Sequence, residues 1–206
     1  MSVTRDDIAA AMVRAAAALR AAKDDLTALD QAAGDGDLGI TAGKLADALD
    51  AYAGSEADDL GKFLAQAGMA LNKAASSTMG TLAATALMRA GQTVKGQSTM
   101  TAEQVAEAFR AAAQGVMDRG KAKLGDKTVL DALFPAADAL AEAVGAGAPL
   151  GAAGQKMLDA ARQGRDAVTP LQNKIGRAGW VGERTKGAVD PGCAMVIAAM
   201  EGVTGQ

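Results

Sequence analysis

Apolar side chains return every three or four residues along most of this chain, and no stretch alternates apolar and polar with the period of two that a half-buried strand needs. The pattern predicts a succession of amphipathic helices. Thr4 and Asp7 read as a capping box, after which Ile8, Met12, Ala15 and Leu19 fall on one face. A short second helix is expected from about Asp24 into Asp30, and a third over about Ile40 to Tyr52 with Leu45, Leu49 and Tyr52 inward. A fourth begins near Glu56 and carries Leu60, Phe63 or Leu64, Ala67 and Leu71; a fifth covers about Thr78 to Ala90. Thr101 and Gln104 form another capping box and open a sixth helix through about Met117. A seventh starts near Lys127, with Val129 or Leu130, Leu133, Leu140 and Val144 on its face and Pro135 inside it. An eighth opens with Pro149 near its first turn, and Asp190-Pro191 reads as the cap and first residue of a last helix with Met195, Val196 and Ala199 inward.

Composition sharpens this picture. About a quarter of the 206 residues are alanine and 2% are aromatic, so the helices are expected to pack closely. Short connections at Gly54-Ser55 and Gly145 to Ala148 imply antiparallel neighbours, and no linker or internal repeat divides the chain, so residues 1–206 read as a single all-α domain. A net charge of −3 gives no reason to expect a nucleic-acid or anionic-membrane partner, and no apolar run approaches the roughly 20 residues that span a bilayer. The single cysteine, Cys193, excludes an intramolecular disulfide and fits a reducing cytoplasm. The chain has no histidine. That excludes Ser-His-Asp and Cys-His catalysis and any zinc site that needs imidazole, so a bound metal must be a hard, oxygen-liganded cation. The ten methionines are read as core filler.

Four clusters offer chemistry. Asp30, Asp35 and Asp37 lie within eight residues around Gly34 and Gly36, an arrangement that can aim several carboxylates at one cation. It is not an EF-hand, because position twelve counted from Asp35 is Ala46. The plain alternative is a solvated acidic turn before a helix. Ser76 to Thr81 places hydroxyls and free N–H groups at a helix start, which suits a phosphate or an ordinary cap. Arg119 to Asp131 is a basic, glycine-punctuated turn that alone reads as a helix connection. Gly176 to Arg184 joins the only tryptophan, Trp180, to two arginines, just before Asp190-Pro191-Gly192; read plainly, it is a surface loop anchored by a buried Trp180. The long segment from about Gln172 to Val189 is expected to be a loop, and a lid over phosphates is its functional reading.

In their order and spacing, Gly-Asp-Gly-Asp, the hydroxyl turn, Gly-Asp-Lys-Thr, Gly-Glu-Arg and Asp-Pro-Gly resemble one family. It is the nucleotide-binding L subunit of dihydroxyacetone kinase, also found as the C-terminal domain of single-chain dihydroxyacetone kinases. The likeness runs from Arg5 to about Glu201. It implies a closed barrel of eight antiparallel helices with ADP or ATP bound in the loops at one end. It also implies two Mg²⁺ ions on Asp30, Asp35 and Asp37, with Leu38, Gly39, Ile40 and Thr41 lining the nucleotide site. By the same likeness Ser77, Thr78 and Met79 meet phosphate, and Gly120 and Val129 lie by the adenine. Arg177 and Asp190-Pro191-Gly192 close over the nucleotide, with Arg177 as the catalytic cation.

The implied activity is phosphoryl donation to dihydroxyacetone held on a separate K-type subunit, which supplies the histidine this chain lacks. Whether the nucleotide is a retained ADP recharged by a phosphotransferase M-type subunit, or exchanging ATP, stays open, as does a homodimer. Three departures bear on the sugar: Leu38 stands where the family often has His, Ser76 to Gly80 replaces a Gly-Gly-x-Ser-Gly turn, and Cys193 replaces Ala. A kinase subunit for another short ketose, such as a tetrulose, and a nucleotide-binding regulatory module are the alternatives.

Overall fold

The computed structural model describes residues 2–205. Ten α-helices follow one another among them: α1 (Arg5–Ala21), α2 (Lys23–Ala33), α3 (Leu38–Ala53), α4 (Leu60–Ala74), α5 (Thr78–Thr93), α6 (Ala102–Gly120), α7 (Leu130–Gly145), α8 (Leu150–Val168), α9 (Gly176–Val181) and α10 (Pro191–Thr204). Eight of them close a ring. α1 packs on α3, and contact passes through α4, α5, α6, α7 and α8 to α10, which returns to α1. The implied eight-helix barrel is therefore observed, with α2 and α9 outside the circuit and touching each other. Antiparallel packing is plain between α4 and α5, where Gly61 faces Gly91 and Lys95 while Gly68 faces Ala84 and Met88.

Small side chains make the ring tight. Ala16, Ala42, Ala46, Ala113, Ala132 and Ala136 are fully buried at helix contacts. The larger apolar groups fall into two clusters, one around Leu45, Phe63 and Leu71, the other around Leu130, Leu158 and Ile197, and Met79 packs against both. Each fully buried leucine contributes about 1.5–3 kcal/mol, so the two clusters supply the main cohesive term. Met69 and Met88 are exposed, which corrects the reading of every methionine as core.

Both capping boxes form: Thr4 and Asp7 open α1, Thr101 and Gln104 open α6. Asp7 accepts hydrogen bonds from the Thr4 hydroxyl and N–H, which hold its carboxyl below the usual range. Two starts differ from expectation. α4 begins at Leu60 rather than near Glu56, because the Asp59 side chain accepts from the Lys62 N–H and caps it there. α7 begins at Leu130 rather than near Lys127, because Lys127 adopts a φ of 59°, which a right-handed helix cannot contain. Pro149 caps α8 one residue before its first turn. Two-residue strands, β1 (Val3–Thr4) and β2 (Thr99–Met100), pair antiparallel, a feature too short to leave an alternating pattern.

Pro135 sits inside α7 and has no N–H for the Asp131 carbonyl. Gly164 of α8 packs on that carbonyl so closely that a Cβ would overlap both it and the proline ring. Gly164→Ala is expected to lower stability by about 1–3 kcal/mol, the usual range for overpacking a tight contact. Urea denaturation checks this, and a midpoint unchanged from the parent protein would contradict the close approach.

Candidate functional site

The acidic residues converge. Asp30 lies in the last turn of α2, the chain turns through Gly34 to Asp37, and α3 starts at Leu38. Gly36 turns the chain with a φ of 79°, which favours glycine. The Leu38 N–H donates to Asp30 Oδ2 at 3.0 Å, tying the first turn of α3 to that carboxylate. Gly39 is pressed against α2, where a Cβ would overlap Thr27 Oγ1 and the Lys23 carbonyl, so α3 starts flush against the helix that carries Asp30. One carboxylate oxygen from each of Asp30, Asp35 and Asp37 lies within 4.8 Å of the others. Asp35 is exposed; Asp30 and Asp37 are half-buried.

A cation faces them. Arg177, on α9, donates through Nη1 to Asp35, and to Asp37 Oδ2 at 3.2 Å. Residues 142 and 140 positions apart are thus brought together, and the segment expected to be a loop contains α9 and a 3₁₀ turn over Gly182–Thr185. Trp180 is 91% exposed, so the reading of a buried anchor is corrected. Its helix is one and a half turns long and buries no side chain of its own. Glu183 pairs with Lys186, not with Arg184, and that ammonium holds its carboxyl below the usual range.

The hydroxyl turn lies beside α3. Ser77 caps α5 by accepting from the Gly80 N–H at 3.1 Å, and Thr41 Oγ1 is 3.3 Å from Ser77 Oγ. Leu38 and Thr41 are buried, Ile40 and Thr78 are exposed, and Met79 is half-buried. A second group forms away from the carboxylates. Val129 is buried against Gly192, whose Cβ position lies 3.5 Å from the Val129 side chain. Asp190 caps α10 by accepting from the Cys193 N–H at 2.9 Å, Pro191 follows as the first helical residue, and Gly120 ends α6 with only Leu82 near its Cβ position. The segment that runs from α8 through α9 to α10 reaches both groups, through Arg177 on Asp37 and Asn173 on Asp190, and Met79 packs against the cluster that holds Val129 and Cys193.

Burial shapes the second group. Asp190 is pushed up by desolvation, against hydrogen bonds from Cys193 and Asn173, and burial likewise pushes the Cys193 thiol far up. Cys193 is therefore an inert packing residue, its Sγ 3.1 Å from the Thr128 carbonyl. Sequence reasoning missed Lys127, Asp131, Asn173 and Thr185, all buried polar residues. The Gly-Asp-Lys-Thr motif was the available signal for Lys127. Asp131 accepts from the N–H groups of Gly125 at 2.6 Å and Thr128 at 2.8 Å and so shapes that turn.

The chain is thus an all-helical ring carrying an acidic cluster faced by an arginine. The DAK2 domain family matches residues 32–205, and the chain belongs to that family. It is 30% identical to the ADP-binding subunit DhaL of the PEP-dependent dihydroxyacetone kinase of Escherichia coli K12, over 98% of this chain and 96% of that subunit. It is 35% identical to the L-erythrulose kinase of Pectobacterium atrosepticum, over 91% of this chain but only 34% of that kinase. The crystal structure of the dihydroxyacetone kinase of C. freundii in its native form superposes with a TM-score of 0.74 at 25% identity, over 96% of this chain and 34% of that one. The chain therefore spans about a third of the longer kinases and nearly all of the E. coli subunit.

The cap at Ser77 gives a local test of the site's geometry. Ser77→Ala is expected to cost about 1 kcal/mol, the common value for a lost N-cap. A chemical denaturation curve that overlays the parent's would show that the hydroxyl does not cap α5.

Proposed function

We propose that this chain is the nucleotide-binding, phosphoryl-donor subunit of a short-ketose kinase. The observation that carries the reading is the convergence of Asp30, Asp35 and Asp37, with Arg177 facing them, at the start of α3. The donor set fits a hard divalent cation, because carboxylate oxygens suit Mg²⁺ and no softer ligand is present in the cluster. One oxygen of each carboxylate lies within 4.8 Å of the others, close enough for the three to hold a divalent cation between them, and two Mg²⁺ ions are the proposed complement. When bound, such a cation neutralises and orients the phosphates.

The chain's own residues then do three things. Asp30, Asp35 and Asp37 hold the cation, while Thr41, Ser77 and the first N–H groups of α5 offer donors to phosphate oxygens. Val129, Gly120 and the start of α10 provide an apolar, close-approach surface for the base. Arg177 exchanges partners: once Asp35 and Asp37 are ligands, its guanidinium is free to donate to the transferring phosphoryl group. In that transfer the bond from phosphorus to the nucleotide's bridging oxygen would break, leaving the nucleoside diphosphate, a bond to a ketose hydroxyl oxygen would form, and the hydroxyl proton would pass to a base of the partner that holds the ketose or to water.

The ketose is held elsewhere. A K-type partner that holds the acceptor is supported by the E. coli relative, matched over 96% of its own length, which is itself one subunit of a kinase. Likeness to the E. coli subunit over nearly its whole length supports dihydroxyacetone as that acceptor and an M-type phosphotransferase as a further partner. The 35% identity to the L-erythrulose kinase supports a tetrulose as the second reading. The reaction proposed here uses aqueous nucleotides and is placed in the cytoplasm; separately, no helix among the described residues is long and apolar enough to cross a membrane.

Mg-ADP at about a hundredfold excess over its Kd is expected to stabilise the fold by about 2.7 kcal/mol, seen as a higher Tm that EDTA reverses. Calorimetric titration of Asp30→Asn, Asp35→Asn and Asp37→Asn should show weakened Mg-ADP binding. Unchanged affinity in all three would remove the cluster from the site. Arg177→Ala, assayed with the K-type partner, should lose on the order of 100-fold in turnover while keeping most of its nucleotide affinity. Full turnover with intact binding would make Arg177 a structural residue.

A further inference from the structure

Lys127 is the most buried charged group in the described chain, at 1% exposure, and it lies outside the roles assigned above. An ammonium has three donors. All three are used here, on the main-chain carbonyls of Thr169 at 2.9 Å, Leu171 at 2.9 Å and Thr185 at 2.6 Å. These carbonyls bracket residues 172–184, the stretch that holds α9 and Arg177.

A second layer closes the same knot. The Asn173 N–H donates to Thr185 Oγ1 at 3.1 Å, and Asn173 Nδ2 donates to the Lys127 carbonyl at 2.6 Å and to Asp190 Oδ1 at 2.7 Å. The Thr185 hydroxyl in turn donates to the Gly182 carbonyl at 2.8 Å. Both ends of the Arg177 segment therefore meet at the Lys127 side chain, and Asn173 ties the main chain of Lys127 to the start of α10.

That side chain is held at a cost. Burial disfavours the ammonium, and Lys127 has a φ of 59°, a region that only a few per cent of non-glycine residues occupy. No other side chain puts three donors on one tetrahedral atom, so none could gather three carbonyls in this way. Strain and a buried charge persist where the surroundings over-determine them, and this is such a place.

We propose that Lys127 is a positioning residue for phosphoryl transfer: its ammonium clasps the two ends of the 171–185 segment and thereby sets the reach of Arg177 to the Asp35–Asp37 pair. The proposal rests on the reading of the carboxylate end as a phosphoryl-donor site. It assigns Lys127 no contact with the reacting groups. Its effect passes through the placement of Arg177.

Trp180 supplies a reporter, since it is the only tryptophan, stands three residues after Arg177 and is exposed. Time-resolved anisotropy of the ligand-free full chain reads the motion of that segment directly. Lys127→Met removes the three donors at similar length. Its Trp180 anisotropy should acquire a larger fast-decaying fraction than the parent's, with helical circular dichroism unchanged. An identical decay would overturn the clasp. In the complex with the K-type partner, Lys127→Met should lower kcat by up to about 100-fold, the scale of a one-ångström misplacement, with Mg-ADP affinity nearly kept.

The same substitution on an Arg177→Ala background should lower kcat no further, because both changes act on one interaction. Additive losses would overturn the route through Arg177. If Lys127→Met does not fold, Thr185→Val keeps the ammonium but loses the hydroxyl bridge, and its anisotropy and kcat should shift in the same sense by less. Parent-like values for that variant would equally overturn the clasp. A parent complex that transfers no phosphoryl group would refute the proposed function, while the anisotropy result would still decide the clasp.

Discussion

Three carboxylates gathered at one point need a positive charge beside them. Carboxylates within 4.8 Å of one another repel by on the order of 1 kcal/mol per pair where water screens them, and more where it does not. The fold nevertheless holds Asp30, Asp35 and Asp37 together, by the Leu38 N–H on Asp30 and by the glycine-sharp turn between α2 and α3. In the chain alone, the guanidinium of Arg177 supplies the compensating charge from 140 residues away. Most of what distinguishes this molecule from a plain helical bundle serves that meeting.

The ring makes the meeting reproducible. Alanines with no exposed surface let the helices approach closely, and close packing transmits the position of one helix start to the next. α3 lies flush on α2 at Gly39, its first turn reaches α5 through Thr41 and Ser77, and α10 is pinned to the turn before α7 through Asp190 and Asn173. The Arg177 segment is the exception. α9 is short, exposed and buries none of its own side chains, so it borrows its position from polar contacts at its two ends. A segment held by its ends rather than by a core suits the exchange of partners proposed for Arg177.

Much of this was legible in the sequence. The 3.6-residue period, the two capping boxes and Asp190-Pro191 located the ring helices to within a few residues. The order of acidic, hydroxyl and Asp-Pro-Gly motifs pointed to the family. What was not legible depended on tertiary context. Nothing local says that Trp180 faces solvent, because a lone aromatic in a glycine-rich stretch reads equally well as an anchor. Lys127 looked like part of a basic connection, since a lysine normally lies at the surface; its three carbonyl partners come from 42 to 58 residues further along the chain. The start of α7 differs from expectation for a related reason: the left-handed turn at Lys127 accompanies contacts with distant carbonyls that leave no local signal.

The central claim is that the acidic cluster and a nucleotide share one cation. Mn²⁺, a hard cation of similar coordination, makes this directly measurable by electron paramagnetic resonance, through the loss of the free-ion signal. With ADP present, the parent chain should take up Mn²⁺ well beyond what ADP alone binds, and Asp35→Asn should take up markedly less. If the free-ion signal with parent chain and ADP equals that with ADP alone, the cluster does not hold the cation, and the account of this site is wrong.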